Sequence, residues 1–445
     1  MTRLDDLRQE LTRRLLAESK KLPTSTAGRL SRTAAAALRT SSMLIGRRLR
    51  GALGKDDDEL DLDAMAGLVG SIGQLKGVAM KVGQIMSYID IAVPEELRAA
   101  LSVLQTHAPP MPISRVTEIM AEELGDKGRE LATTLDSTPL AAASIGQVHK
   151  GKLPDGTVVA VKVQYPEVAK AIESDFAPAA LGSMLSSIFV PGSRVDAFIT
   201  EARERFLEET DYVHEAESQE RFAALYSDHP IIMVPAVHRP WCSQRVLTTT
   251  FVVGVHLDAF LDQSPAQEQR DRLGVALFDF YIGTLFRHGL YNCDPHPGNY
   301  LFGEDGRMAM LDYGCTRVFD RDFVAKLAGL SLAIHTDDRD GLRRALVDLN
   351  IVKHGSAYDF ETARALMRAF HGPMLEDEVK AIDLGPGLGM AEVAKKKREL
   401  LKLSLPGEFL FLLRIRFGLM SVLARLGSRA NWHRLELEHL TAGIR

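Results

Sequence analysis

The stretch YNCDPHPGNYLFGEDGRMAMLDYG, residues 291–314, has two short apolar runs, NYLF and MAML, on either side of the pair Asp305-Gly306. An Asp-Gly pair between such runs predicts a β-hairpin with a two-residue turn. In that hairpin Asn299 faces Asp312 across the strands. A carbonyl oxygen beside a carboxylate suits a hard divalent cation, and Asp294 lies in the loop that leads in. The hairpin therefore predicts a cation site.

The composition limits the class of protein. A chain of 445 residues is too long for one compact core and should divide into two or three units. Its hydrophobic content of 46% and charged content of 25% are ordinary for a soluble enzyme, and a net charge of -5 gives no case for nucleic acid. The three cysteines have no paired spacing, which favours a reducing compartment and argues against a disulfide or zinc framework.

The first residues differ in charge from the rest. Through residue 55 there are 13 Lys and Arg against 4 Asp and Glu, a net of +9 (13 − 4). The interleaved arginines and apolar residues fit peripheral attachment to anionic lipid, and they equally fit a basic arm without fixed structure. No apolar run is suited to span a bilayer. The best one, residues 408–426, contains Arg414, Arg416 and Arg425 and is predicted to be a buried helix.

The hydrophobic period changes along the chain from helical to strand-like and back. Residues 62–90 have a helical period, with a second stripe of small and polar residues that includes Lys81 and Gln84. After a proline-rich boundary the pattern predicts strands at about 140–164 and 245–253 with a charged helix between them, and then helices apart from the hairpin. This order predicts a two-lobed α+β protein with its site between the lobes.

The strand TVVAVKV puts Ala160 and Lys162 on one face and three valines on the other. A lysine on the inner side of a strand is costly unless an anion pairs with it. The preceding strand begins with AAASIGQVH, whose small residues occupy the positions of a G-x-G-x-x-G-x-V loop with two glycines changed to alanine. Protein kinases hold nucleotide phosphates with this arrangement. The residues assigned to the nucleotide here are Ala141, Ala142, Ala143, Ser144, Gly146, Val148, Ala160 and Lys162.

The charged helix provides acidic partners for that lysine. Its candidates are Glu209, Asp211 and Glu215, and spacing alone does not choose among them. Thr249 falls where a kinase hinge would be and is assigned to the lining of the adenine pocket.

Three residues of the opening stretch match the kinase order D-x-x-x-x-N followed by D-x-G: Asp294, Asn299 and Asp312. In that assignment Asn299 and Asp312 hold Mg²⁺ on the phosphates, and Lys162 orients the phosphates. Asp294 positions or deprotonates the acceptor. The predicted cation site is therefore a site for ATP and Mg²⁺.

Six ordered motifs together resemble the UbiB-type atypical kinases, the aarF-domain or ubiquinone-biosynthesis kinase-like family. They are KVGQ (81–84), AAAS (141–144), VAVK (159–162), ETD (209–211) followed by Glu215, DPHPGN (294–299) and DYG (312–314). The resemblance implies an α+β, bilobal protein-kinase-like fold with an N-terminal helical extension packed over the cleft. The predicted parts are a basic arm at 1–60, the extension at 61–112, an N-lobe at 113–253 and a helical C-lobe at 254–445.

The resemblance also implies roles that spacing leaves open. It places Lys81 and Gln84 over the active site, facing the ETD acids and the phosphates, and it favours Glu215 as the partner of Lys162. We expect Lys81 to pair with Glu209 or Asp211 of the ETD motif.

The sequence departs from the family and from ordinary protein kinases at two places. Asn292 stands where many relatives have the histidine of H-x-D, which leaves the orientation of the loop open. Only six residues separate DYG from the helix predicted to start near Arg321, so there is little room for a peptide-docking activation segment.

The leading interpretation is an ATP- and Mg²⁺-binding atypical kinase or ATPase that supports isoprenoid quinone (ubiquinone-type) biosynthesis or lipid homeostasis at a membrane surface. The quinone link comes only from the resemblance. The alternatives are a small-molecule phosphotransferase of the aminoglycoside or choline kinase type and a nucleotide-gated lipid-binding pseudokinase.

Expected partners are the nucleotide, a lipid or quinone intermediate and quinone-biosynthesis proteins. Nucleic acid is not expected, and a homodimer is left open. The expected location is cytoplasmic and peripheral to the inner membrane in a bacterium, or the matrix side of the mitochondrion in a eukaryote.

Overall fold

The computed structural model describes residues 110–142, 145–166, 210–384, 403 and 407–443. The predicted arm and almost all of the predicted extension lie outside these ranges, as do the site candidates Lys81, Gln84, Ala143, Ser144 and Glu209. The chain divides into two compact units: Met1–Asp211 with Trp241–Leu247, and Tyr212–Pro240 with Thr248–Arg445. The segment Tyr212–Pro240 thus groups with the helical second unit, whereas the division predicted above places it in the N-lobe.

Two helices and a small sheet make up the described part of the first unit. The helices are α1 (Ile113–Leu124) and α2 (Asp126–Ala132), and the strands are β1 (Ala141–Ala142), β2 (Gly146–Lys152) and β3 (Val158–Gln164). The sheet has the order β1-β2-β3-β5, and strand β5 (Val246–Thr250) begins within this unit. Gly156 has a φ of +92° in the turn between β2 and β3, a conformation that favours glycine. The strands predicted at about 140–164 are confirmed.

Strand alternation gives this sheet one core face. Val159, Val161 and Val163 are fully buried and pack with α1 residues such as Val116 and Ile119. Burial of three β-branched side chains on one face of a pleated strand stabilises β3 and fixes which way it faces. The alternate residues of β3 therefore face away from that core.

The second unit is mostly helical. Its long helices are α3 (Tyr212–Leu225), α5 (Gln267–Phe278), α7 (Arg321–His335), α8 (Arg339–Asp348), α9 (Phe360–His371), α10 (Gly407–Leu426) and α11 (Trp432–Gly443). Shorter ones are α4 (Leu257–Asp262) and α6 (Thr284–His288), and a π-helical turn, Asp279–Gly283, joins α5 to α6. These helices surround one large apolar core.

Short strands run through this helical unit. They are β4 (Ile232–Met233), β6 (Leu290–Asn292), β7 (Tyr300–Phe302), β8 (Met308–Met310), β9 (Thr316–Val318), β10 (Lys380–Ala381) and β11 (Arg429–Ala430). The sheets have the orders β4-β8-β7, β6-β9 and β10-β11. The expectation that the chain is helical after about 265 apart from the hairpin is therefore wrong in detail, because runs of two or three residues are too short for periodicity to detect.

The predicted hairpin is present, but its register is shifted by one residue. Tyr300 pairs with Met310 and Phe302 with Met308, so the strands join through a loop longer than the predicted two-residue turn. Gly306 has a φ of +79°, and Asp305 Oδ1 accepts a hydrogen bond of 3.0 Å from the backbone N–H of residue 307. This Asx turn with a left-handed glycine fits a three-residue loop.

Helix α10 is buried, as predicted for residues 408–426. Ile415, Leu419 and Leu423 are fully buried, and Arg416 forms an ion pair of 2.6 Å with Glu436 inside the core. None of the described helices is both long enough and apolar enough to cross a membrane.

Candidate active site

Three candidate nucleotide residues of the first unit lie in one row across the sheet. Lys162 on β3 pairs with Val148 on β2, which pairs with Ala141 on β1. Ala160 shares the face of Lys162, opposite the valine core, and both are half-buried. The lysine thus lies on a face from which its ammonium group can reach an anion. The predicted alternation of this strand is confirmed.

The remaining central candidates belong to the second unit: Glu215, Asp294, Asn299 and Asp312. Asp294 follows β6, and Asn299 ends a 3₁₀ turn, Pro297–Asn299, that leads directly into β7. Asn299 Nδ2 donates to the Asp294 carboxylate Oδ2 at 3.0 Å and to the Asp294 carbonyl oxygen at 3.1 Å. The side chain of Asn299 therefore fixes both the backbone and the carboxylate of Asp294.

A second amide holds the same loop from its other end. Asn292 is 2% exposed at the end of β6. Its Oδ1 accepts from the backbone N–H of Asp294 at 3.1 Å, and its Nδ2 donates to the carbonyl oxygen of Asp312 at 2.8 Å. The residue that departs from the H-x-D pattern thus connects the Asp294 loop to the DYG segment.

Buried groups on other elements contact the Asp294 loop. The hydroxyl of Tyr281, in the π-helical turn, lies 2.9 Å from that of Tyr300 and 3.4 Å from the Asp294 carbonyl oxygen. Burial raises the pKa of both hydroxyls well above the usual value, so they stay protonated at neutral pH. Gly418 of α10 packs so closely on Pro295 that an added Cβ would lie 2.7 Å from its Cγ.

Asp312 begins the tight DYG turn. Its Oδ1 accepts from the N–H of Gly314 at 2.9 Å. A Cβ at Gly314 would lie 3.3 Å from Glu215 Oε2 and 3.4 Å from Asp312 Oδ1. Both carboxyl groups therefore lie close to this glycine, and Glu215 joins the site although it is about 100 residues away in the sequence.

Packing of helix α3 on the DYG segment explains how Glu215 reaches this position. Phe222, two turns further along α3, contacts the ring of Tyr313 at a centroid distance of 5.3 Å and stacks on Phe280 at 4.9 Å. Gln219 Nε2 donates to the Pro235 carbonyl oxygen at 2.6 Å. Glu215 is 1% exposed in the first turn of this anchored helix.

The side-chain oxygens of Asn299 and Asp312 suit a hard cation that is bound together with a phosphate ligand. Because Nδ2 of Asn299 donates to Asp294, its carbonyl Oδ1 is the atom that Asn299 can offer to a cation. Mg²⁺ commonly takes one or two protein oxygens together with substrate phosphates. Within the described ranges, no three His, Cys, Asp or Glu side chains form a group that could hold a metal ion by themselves.

The shifted register changes the predicted contact between these two ligands. The backbone N–H of Leu311 donates to the Asn299 carbonyl oxygen at 3.0 Å, so Leu311 faces Asn299 and Asp312 is the next residue along. The statement that Asn299 faces Asp312 directly is wrong by one position. Both residues still flank the open end of the hairpin.

The structure also describes two further candidates, Asp211 and Thr249. Asp211 precedes the first residue of α3, and Thr249 is half-buried on β5, where it forms a bridge with Val237. His296, in the same loop as Asp294, accepts from the Gly298 N–H at 3.0 Å and caps the 3₁₀ turn.

The segment after DYG is as short as predicted. Strand β9 occupies three of its six residues, and helix α7 begins at Arg321 with Asp320 as its cap, accepting from the Phe323 N–H at 2.7 Å. A β strand and a capped helix start leave no extended loop between DYG and α7.

A loop with D-x-x-x-x-N, a hairpin and a following D-x-G segment, together with a strand lysine in a small sheet, define the kinase-like class of folds. Residues 103–346 match the family described as ABC1 atypical kinase-like domain, and the chain belongs to this family. The resemblance to the UbiB-type atypical kinases is confirmed.

Individual relatives agree with this assignment. The chain is 35% identical over 263 residues to "Atypical kinase coq-8, mitochondrial" of Caenorhabditis elegans, covering 58% of this chain and 35% of that protein. It is 32% identical over 284 residues to "Atypical kinase COQ8, mitochondrial" of Saccharomyces cerevisiae, covering 63% and 56%. The chain therefore spans only about half or less of the length of these relatives.

A solved structure also resembles the chain. The complex of Rv3197 with erythromycin from Mycobacterium tuberculosis superposes with a TM-score of 0.58 at 28% identity. The match covers 84% of this chain and 95% of that one.

Proposed function

We propose that the chain binds ATP with Mg²⁺ and acts as an atypical kinase or ATPase. The observation that carries the proposal is the arrangement of Glu215, Asp294, Asn299 and Asp312 around one hairpin and one glycine in the second unit. Bound Mg²⁺ would neutralise charge on the phosphates and polarise them.

The protein groups have distinct roles in this proposal. Asn299 and Asp312 hold the cation, while Asp294, fixed by Asn299, positions or deprotonates the acceptor. Lys162, in one row with Val148 and Ala141 on the sheet of the first unit, orients the phosphates. Lys81 and Gln84 complete the active site from the predicted extension.

The cellular role proposed here is support of isoprenoid quinone biosynthesis of the ubiquinone type, or lipid homeostasis, at a membrane surface. The proposal is supported by membership of a family that includes the COQ8 proteins, two of which have names that describe them as mitochondrial. The basic N-terminal segment would supply the contact with anionic lipid.

Mg²⁺-dependent ATP hydrolysis, measured with and without anionic vesicles, tests this function. We expect hydrolysis by the wild type, stimulation by vesicles, and a loss of about 100-fold or more in Asp312→Asn. Analysis of products with labelled ATP distinguishes free phosphate from a phosphorylated metabolite, which would indicate a small-molecule phosphotransferase. If Asp312→Asn abolishes turnover but keeps the biological function, the chain is a nucleotide-gated lipid-binding scaffold.

A second candidate function is binding of a macrolide, supported by the similarity to the Rv3197 complex with erythromycin. Titration of the chain with erythromycin, in the presence and absence of ATP and Mg²⁺, tests it. Saturable binding would support this candidate. Absence of binding at concentrations where ATP saturates the protein would contradict it.

A further inference from the structure

Asn292 has contacts that the proposed roles of the site residues do not use. It lies one residue before Cys293 at the end of β6, with a side chain that is almost completely buried. Its two polar atoms have different partners: Oδ1 accepts from the Asp294 N–H, and Nδ2 donates to the Asp312 carbonyl oxygen. A single side chain therefore bridges the two segments that carry the proposed acceptor-positioning and cation-binding carboxylates.

We infer that Asn292 is a positioning residue that holds the Asp294 loop and the DYG segment in one fixed arrangement. The inference rests on the proposed function, because it assigns to Asn292 the mutual placement of two groups of that site. The residue would touch neither nucleotide nor cation and would act only through Asp294 and Asp312.

The chemistry of the amide suits this role. An amide offers a donor and an acceptor at the same time, and both of its partners here are backbone groups. A carboxylate at the same position has no donor for the Asp312 carbonyl oxygen, and an aliphatic side chain leaves both backbone groups without this partner. A neutral imidazole can again supply one donor and one acceptor.

The neighbouring strand pair provides a matched control. Asn292 pairs with Thr316 across the β6-β9 ladder, and Thr316 is also buried. The hydroxyl of Thr316 donates to the Tyr313 carbonyl oxygen at 2.9 Å, which is a local bond within one segment. Thr316→Val therefore removes a buried hydrogen bond from the same place without disconnecting the two segments.

Kinetics of four variants test the inference. We expect Asn292→Leu to reduce kcat/KM by about 10- to 100-fold and to raise the Mg²⁺ concentration at half-maximal rate. Asn292→Asp should shift the Mg²⁺ dependence more than kcat, because it loses only the bond to Asp312. Asn292→His should recover most of the activity, and Thr316→Val should change neither quantity by more than about twofold.

Hydrogen–deuterium exchange separates this inference from the proposed function. In Asn292→Leu, peptides covering 290–296 and 311–316 should both exchange faster, with or without ATP, whereas Thr316→Val should affect only the second. A wild type that neither binds nor hydrolyses ATP would contradict the proposed function, while exchange would still report the coupling. Unchanged exchange at 290–296 in Asn292→Leu, or equal losses of activity in Asn292→Leu and Thr316→Val, would overturn the inference.

Discussion

Acidic residues of the second unit are held in two different ways. Around the hairpin, Asp294 and Asp312 are half-buried and accept hydrogen bonds from an amide side chain and a backbone N–H. On helix α11, Glu436 is completely buried and pairs with Arg416 and His335. The first arrangement keeps carboxylates within reach of a ligand, and the second uses the charge to hold helices together.

Glu436, Arg416 and His335 form the buried cluster, in which the charge of Glu436 is completely enclosed. The Arg416 guanidinium binds both oxygens of Glu436, at 2.6 and 2.7 Å, and its Nε donates to the Phe370 carbonyl oxygen at 3.1 Å. His335 Nε2 lies 2.9 Å from Glu436 Oε2. Burial alone would raise the pKa of Glu436, but the Arg416 charge and these hydrogen bonds lower it well below the usual value. Glu436 therefore stays ionised as a structural group.

The largest expected effect is the loss of stability when the buried pair of Glu436 and Arg416 is broken. Glu436→Gln leaves the Arg416 charge buried without its counter-ion, and we expect the free energy of unfolding to fall by about 3–5 kcal/mol. Chemical denaturation at neutral pH measures the change. The control is Glu438→Gln on the same helix, an exposed position that should change little. Equal stability of the two variants would show that the buried charge is dispensable.

The opposite result is expected at the hairpin. Asp294→Asn should reduce ATP turnover by about 10²- to 10³-fold, because an amide cannot accept a proton from the acceptor. The melting temperature should stay close to that of the wild type, since Asp294 is only half-buried. Turnover and thermal melting are measured on the same sample, with Asp262→Asn at an exposed position of helix α4 as a control. A large loss of stability with little loss of turnover would reverse the assignment of the two regions.

Acid should weaken the core next to the buried cluster, through His371 of helix α9, whose ring lies against that of His335. Burial and the nearby Arg416 charge lower the pKa of His371 from 6.5 to about 3. The unfolded chain therefore binds a proton between these values that the folded chain does not, so stability is complete above about pH 6.5 and falls as the pH decreases.

Denaturation curves at pH 7 and pH 5 measure this difference. We expect a loss of about 1–2 kcal/mol from His371 alone. His371→Gln, which cannot titrate, should show a smaller difference between the two pH values. If the variant and the wild type lose the same stability, His371 is not responsible.

The smallest effect is expected at Tyr313, the middle residue of the DYG segment. Its ring is buried against Phe222, but its hydroxyl has no hydrogen-bond partner among the described residues. Tyr313→Phe should therefore leave stability within about 1 kcal/mol of the wild type or raise it slightly, and should keep turnover. Thermal melting and ATP turnover measure both. A destabilisation well above that amount would mean that the hydroxyl has a partner.

The sequence predicts those features that depend on local pattern. Alternation in β3 places Lys162 opposite a valine core, and the motif spacing brings Asp294 and Asn299 into contact. The hairpin register is missed because an Asp-Gly pair fits two loop lengths. The Asx bond of Asp305 and the left-handed Gly306 favour the longer one.

Features that depend on distant contacts are not predictable from spacing. Tyr281 and Gly418 reach the Asp294 loop from the π-helical turn and from α10, and neither belongs to a motif. Asn292 is visible in the sequence as a departure from H-x-D, but its bridging role depends on a cross-strand pairing of three residues. Such a pairing is too short to produce a periodic signal.

Mg²⁺-dependent binding of ATP, measured by calorimetric titration of the wild type, Asp312→Asn and Tyr313→Phe, tests the central claim most directly. The account predicts that the wild type and Tyr313→Phe bind ATP more tightly with Mg²⁺ than without it, and that Asp312→Asn loses this gain while remaining folded. Equal Mg²⁺-dependent binding by all three proteins, or none by the wild type, would contradict it.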